Sequence, residues 1–168
     1  MVPVQQEGGS ERTPWVSVSF TLSQLGLETA RQFGQLIGRF GVEPRHFAVL
    51  RAVHFAPDQS QQGIGDALGI PASTMVTLVD QLEEKCLIER RHQRADRRTR
   101  ALHLTHDGER LLAEALDAAK MQEVRICAEL EPAERDQLLE LLGKVRASLG
   151  VAASTIPDQG SGEQPPGM

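Results

Sequence analysis

A mainly α-helical fold carrying one small β-hairpin is what this 168-residue sequence predicts, and three observations lead there. Apolar residues recur at helical spacing through most of residues 18–149, as at Met75, Leu78, Val79 and Leu82. Two short β-capable runs, 87–92 and 100–104, flank a polar connection at 93–99. Two helical stretches separated by only a few residues stand directly before that hairpin. The combination is a helix-turn-helix followed by a wing, about 44–105. Helices at about 17–41 and 106–149 frame it and are expected to form a homodimer interface.

Taken in order, residues 1–16 and 150–168 are polar and rich in Gly, Pro, Ser or Gln, so both are expected to be disordered tails. Trp15 at the border either anchors the first helix or stacks on a ligand, and the anchor is the simpler reading. From 18 to 40 the positions Leu22, Leu25, Thr29, Phe33, Leu36, Ile37 and Phe40 keep a helical period, closed by Gly41 and Pro44. That helix carries more apolar surface than a small lobe covers, which points to a second subunit. A second helix opens at Pro44, places Phe47, Leu50, Val53 and His54 along its length and ends before Pro57. His46 and His54 are read as hydrogen-bonded side chains ahead of metal ligands.

Residues 58–60 offer cap chemistry for a short helix over 61–68, with Ile64, Ala67 and Leu68 inward. Gly63 and Gly65 weaken it, and nothing in the sequence says why they are there. After a turn at Gly69 and Ile70, Pro71 fits the first turn of a helix running to Lys85. Opposite its apolar stripe stand Ala72, Ser73, Thr74, Thr77 and Gln81. These are short or hydrogen-bonding side chains, able to approach the base edges of a DNA duplex. Ser60 and Gln61, at the start of the preceding helix, are placed to donate to phosphates. Beyond the wing, Thr105 begins a cap and a helix follows from about 109 to 130, with Leu111, Leu112, Ala115 and Met121 on a broad Ala-rich apolar surface. Pro132 then opens a last helix striped by Leu138, Leu139, Leu141, Leu142, Val145 and Leu149.

Charge is distributed unevenly. Seven Lys or Arg against Glu89 and Asp96 make residues 85–100 +5, whereas the chain is −5, so the other 152 residues sum to −10. An acidic body with one basic projection binds a polyanion locally and in one orientation. The alternative is a solvated hairpin face, or a winged helix used for protein contacts without sequence-specific DNA binding. The N-terminal stretch lacks the pattern of a signal peptide and no apolar run reaches membrane-span length, so a cytoplasmic protein without a membrane partner is expected. Cys86 and Cys127 form no metal or redox spacing and are read as reduced thiols. There is no phosphate loop, nucleophile elbow, H-E-x-x-H or C-x-x-C, so neither enzymatic chemistry nor a cofactor is expected. A zinc cluster of His92, His103 and His106 lacks a fourth ligand at a sensible spacing.

Four short motifs carry a family resemblance: L-V-D-x-L-E-x-K at 78–85, L-I-x-R-R at 87–91, D-R-R at 96–98 and L-x-L-T-x-x-G at 102–108. In this order, between helices of suitable length, they resemble the winged helix-turn-helix of the MarR family of bacterial transcriptional regulators, over roughly 18–149. The resemblance implies a homodimer on a pseudo-palindromic operator of double-stranded DNA, usually repressing nearby genes. It also implies release by a small molecule, often phenolic or anionic, or by oxidation. Such an effector, of unknown identity, is expected between the helical dimer region and the DNA-reading lobe.

By the same resemblance, base reading falls on Ser73, Thr74 and Thr77, and minor-groove contact on Arg97 or Arg98, with Asp96 orienting the wing. Family members often carry Arg where Thr77 stands, so this chain lacks that guanine-pairing fork and is expected to lean on thymine methyls and on DNA shape. They commonly carry Asp-Pro where this chain has Gln93 and Arg94, and Arg94 is expected to add a phosphate contact. Cys86 stands where a left-handed residue, usually Gly, ends the helix. It is read as a strained structural position ahead of a redox switch.

Overall fold

The computed structural model describes residues 17–92 and 100–151. The expected N-terminal tail, with Trp15, the expected C-terminal tail beyond residue 151 and the wing tip at 93–99 lie outside the described residues. Six helices and one hairpin follow one another as α1 (Val18–Gly38), α2 (Pro44–Phe55), α3 (Gln61–Leu68), α4 (Ala72–Glu84), β1 (Ile88–His92), β2 (Arg100–Leu104), α5 (His106–Ile126) and α6 (Pro132–Ser148). No described helix is long and apolar enough to cross a membrane.

At the centre lies α2, which touches α1, α3, α4, α5 and β2. Its Phe47, Val49, Leu50 and Val53 are buried, and Phe47 meets Phe33 of α1 edge to face at 5.6 Å. Around it the stripe of α4, Met75, Leu78, Val79 and Leu82, closes one continuous core with Ile64, Leu102 and Leu112. The hairpin is antiparallel, with Ile88 opposite Leu104 and His92 opposite Arg100. Its outer edge is not left open to solvent, because Leu102 N–H donates to the Gln59 carbonyl at 3.1 Å and Ser60 bridges Ala101.

Glycines explain two close joints. Gly69 caps α3 at φ 64, a left-handed conformation that costs an L side chain energy, and the chain reverses there into α4. Gly65, which had no assigned role in the sequence, is a contact point: a Cβ there would sit 3.3 Å from the Ile70 carbonyl oxygen and 3.4 Å from Met75 Cγ. The second joint is at Gly108, where a Cβ would collide with the Leu87 carbonyl. Close approach at that point lets Thr105 N–H donate to the Leu87 oxygen at 3.1 Å, and lets the Thr105 hydroxyl donate to the Cys86 carbonyl at 2.6 Å.

Two boundaries differ from expectation. Pro71 precedes α4 as its extended cap residue (ψ 144) and is not inside the first turn, because Met75 N–H already bonds the Pro71 carbonyl. Helix α5 starts at His106, since the Thr105 hydroxyl accepts from Gly108 N–H at 3.0 Å and completes the cap there, and it ends at Ile126 short of 130. The outer arms are far less buried than the lobe. Helix α6 has no buried residue at all, and α1 has only Leu36 and Ile37.

Candidate nucleic-acid interface

Which side of α4 faces outward follows from its burial. Ala72, Ser73, Val76, Thr77, Asp80 and Gln81 are exposed, Thr74 is half-buried, and the four apolar stripe residues are inside. Ser73, Thr74 and Thr77, expected as base readers, therefore share one end of one helix. The Thr77 hydroxyl donates back to the Ser73 carbonyl at 3.3 Å, so its proton is engaged within the helix. Gln81 lies on the same face but its Oε1 has a partner: it accepts from His46 Nε2 at 2.8 Å. His46 is only 5% exposed, and its Nδ1 accepts from Glu43 N–H at 3.1 Å, so the proton must be on Nε2. The pair ties the first turn of α2 to the last turns of α4. What remains of Gln81 for a duplex is its amide N–H group.

Ser60 and Gln61 also have work inside the protein. Ser60 caps α3 by accepting from Gly63 N–H at 3.1 Å. Gln61 Oε1 accepts from the Arg90 guanidinium at 3.1 Å, which leaves its N–H groups and the Ser60 O–H proton as donors. Arg90, counted in the sequence among the cations of the hairpin, proves to be a brace. Its guanidinium is 23% exposed and holds Asp80 at 2.7 Å and Glu83, both on α4, together with Gln61 on α3. Three elements are thus fixed by one planar fork, and its charge is neutralised locally. Arg91 pairs with Glu89 of the same strand. Arg90 and Arg91 are thus paired within the protein, and Arg100 of β2 is exposed. Arg94, Asp96, Arg97 and Arg98 fall in the wing tip and lie outside the described residues.

Between α4 and β1 the backbone turns as the sequence led one to expect. Cys86 adopts φ 56, its N–H bonds the Glu83 carbonyl at 2.8 Å, and Leu87 N–H bonds the Leu82 carbonyl at 2.9 Å, which together form a Schellman cap. His103 stands 3.5 Å from an Asp58 carboxylate oxygen. Among the described residues no group of three His, Cys, Asp or Glu side chains is arranged to hold a metal ion.

A family model described as the MarR family matches residues 40–99. A protein of Thauera aromatica assigned as the transcriptional regulatory protein for the hcr operon is 34% identical over 129 residues, which span 76% of this chain and 78% of the relative. The chain belongs to the MarR family. Solved MarR-family relatives share its architecture. The transcriptional repressor CouR bound to a 23-mer DNA duplex aligns with a TM-score of 0.68 and 29% identity, over 77% of this chain and 92% of CouR. CouR from Rhodococcus jostii RHA1 bound to p-coumaroyl-CoA aligns with a TM-score of 0.65 and 26% identity, over 77% and 91%. This MarR-family chain is therefore a transcriptional regulator, and its relatives are regulators, not enzymes.

Three residues of the interface escaped the sequence reading: His46 and Arg90 as braces, and Val76 on the exposed face. Only Val76 had a signal. It falls off the 75, 78, 79, 82 stripe, so a helical projection already turns it outward.

Proposed function

We propose that this regulator is a repressor that binds double-stranded DNA as a homodimer. Each protomer sets α4 into the major groove of one half of a pseudo-palindromic operator, and its wing tip reaches the adjacent minor groove. The observation that carries the reading is the outward face of α4: small side chains in a row, on a helix held in register with the wing by Arg90. The two helices of a dimer then meet grooves about 34–36 Å apart. The dimer itself is supported by α6, whose Leu138, Leu139, Leu141 and Leu142 are exposed in a single protomer, as are Met121, Val124 and Ile126 of α5. Base contact is assigned to Ala72, Ser73, Thr74 and Thr77, with Gln81 contributing its amide N–H. Phosphate contact is assigned to Ser60, Gln61 and Arg94, and minor-groove contact to Arg97 and Arg98 oriented by Asp96. CouR, solved on a DNA duplex, supports the same use of this fold.

Release by a small anionic molecule is assigned to the seam of α1 and α5, within the arms and not, as the sequence led one to expect, between them and the DNA-reading lobe. A cleft of about 340 Å³ lies there, lined by Gln32, Gln35, Arg39, Gln122 and Arg125. Gln122 is 8% exposed and its Oε1 has no hydrogen-bond partner, an acceptor that a ligand donor satisfies. CouR bound to p-coumaroyl-CoA is a MarR-family precedent for an anionic ligand.

Selection from a randomised duplex pool tests the reading. A palindrome bound at least about a thousandfold tighter than a scrambled duplex is the expected outcome. Arg94→Ala is expected to lower the salt slope of binding by about 1, as the loss of one phosphate contact does. A selection that returns no preferred sequence, with the dimer intact by sedimentation, would overturn it.

A further inference from the structure

Resting on the assignment of α4 to the major groove, we infer that Val76 reads the C5-methyl group of a pyrimidine, so that the operator carries a thymine or a 5-methylcytosine opposite it. Among the described residues the exposed large apolar side chains fall on α1, on α5 and α6 and just beyond those two helices, with one exception. Val76, 45% exposed on α4, is the one in the helix-turn-helix and wing. The arm residues belong to surfaces that a second subunit covers, and Val76 is remote from them in sequence and on the opposite lobe. Helix stability does not explain it either, since a β-branched residue at a solvent-facing helical position is a poorer choice than Ala.

Its neighbours make the case chemical. The Asp80 carboxylate, one turn on, is held by Arg90 at 2.7 Å, and the Gln81 oxygen is held by His46 at 2.8 Å. The Thr77 hydroxyl donates into its own helix. Around Val76 the outward face carries the exposed methyl of Ala72 one turn back and the Ser73 hydroxyl beside it, so Val76 is the largest apolar group there. In the major groove the C5-methyl is the one methyl group a base pair presents; cytosine carries only a C5–H at that place, and the other recognition groups there donate or accept hydrogen bonds. A methyl surface of this kind rewards the C5-methyl and leaves a polar edge unpaired. Because valine in a helix holds one χ1 rotamer, its methyls are placed before DNA arrives and lose little freedom on binding.

The test uses the full-length protein and the operator recovered by selection. Each thymine is replaced by uracil, symmetrically in both half-sites, which removes one methyl from each half-site and leaves base pairing intact; each cytosine is separately replaced by 5-methylcytosine. For the unaltered protein, uracil at one symmetric position is expected to weaken binding about fourfold for each methyl lost, about sixteenfold for the pair. Val76→Ala is expected to bind the thymine and uracil forms equally, with a melting temperature no lower than the parent. A penalty on uracil names thymine as the base that is read, whereas a gain confined to 5-methylcytosine names the modified base. Equal binding at every position, or discrimination that survives Val76→Ala undiminished at every position, overturns the inference while the operator still stands. Failure to recover any operator instead overturns the DNA-reading proposal beneath it.

Discussion

The lobe formed by α2, α3, α4 and the hairpin and the arms formed by α1, α5 and α6 solve the burial problem in opposite ways. In the lobe, eight-residue and thirteen-residue helices close on each other through Gly65 and on β2 through Leu102, and the apolar side chains go inside. In the arms, two helices of 21 residues and one of 17 leave most of their leucines in solvent. Similar apolar content gives a finished core in one region and an unfinished one in the other. An element's own periodicity states which face is apolar, and only the neighbours decide whether the same chain can cover it.

Breaking that contrast begins with the arms. Leu138→Glu with Leu142→Glu touches no buried residue of the protomer, so helical content should persist by circular dichroism while sedimentation shows monomers. Operator affinity should then fall by a hundredfold or more, on the order of what is lost when two linked contacts become independent. A dimer that survives both charges would move the interface away from α6. The next effect belongs to the joint between the two regions. Gly108→Ala drives a methyl group into the Leu87 carbonyl and should cost about 3 kcal/mol, read as a melting temperature lower by roughly 10 °C. An unchanged melting temperature would mean that α5 slides easily on the wing.

Within the lobe, Arg90→Ala removes the partner of Asp80, Glu83 and Gln61 and should cost about 1–2 kcal/mol. It should also broaden sequence preference, because α4 loses its register with α3 and β1; selection with the variant protein would show a less defined palindrome. The smallest change has the opposite sign. Cys86→Gly relieves a side chain held at φ 56 and should stabilise by about 1 kcal/mol, a few degrees in melting temperature. A loss of stability there would show that the cysteine packs usefully.

Much of this was legible in the sequence for a physical reason: periodicity and capping are local. The bounds of α3, the two strand runs of the hairpin and the left-handed turn at Cys86 all follow from residues within a few positions of one another. What was not legible depends on distant partners. Arg90 looks like one more wing cation until Asp80 and Gln61, 10 and 29 positions away, are brought to it. Gln81 looks free until His46, 35 positions earlier, folds against it. Gly65 has no meaning until Ile70 and Met75 close over it. Val76 is the reverse case: its place off the apolar stripe is a local signal, carried by helical spacing alone.

The meeting of Cys86, Leu87, Thr105 and Gly108 has a mechanical consequence. The end of α4, the start of β1 and the root of α5 share backbone bonds there, so the joint is a weld with no hinge in it. Helix α5 extends about 30 Å from that weld at 1.5 Å per residue. A tilt imposed at its far end is expected to pass through those bonds to the end of α4, so that the long helix would serve as a lever, a few degrees at the handle giving a displacement at the tool.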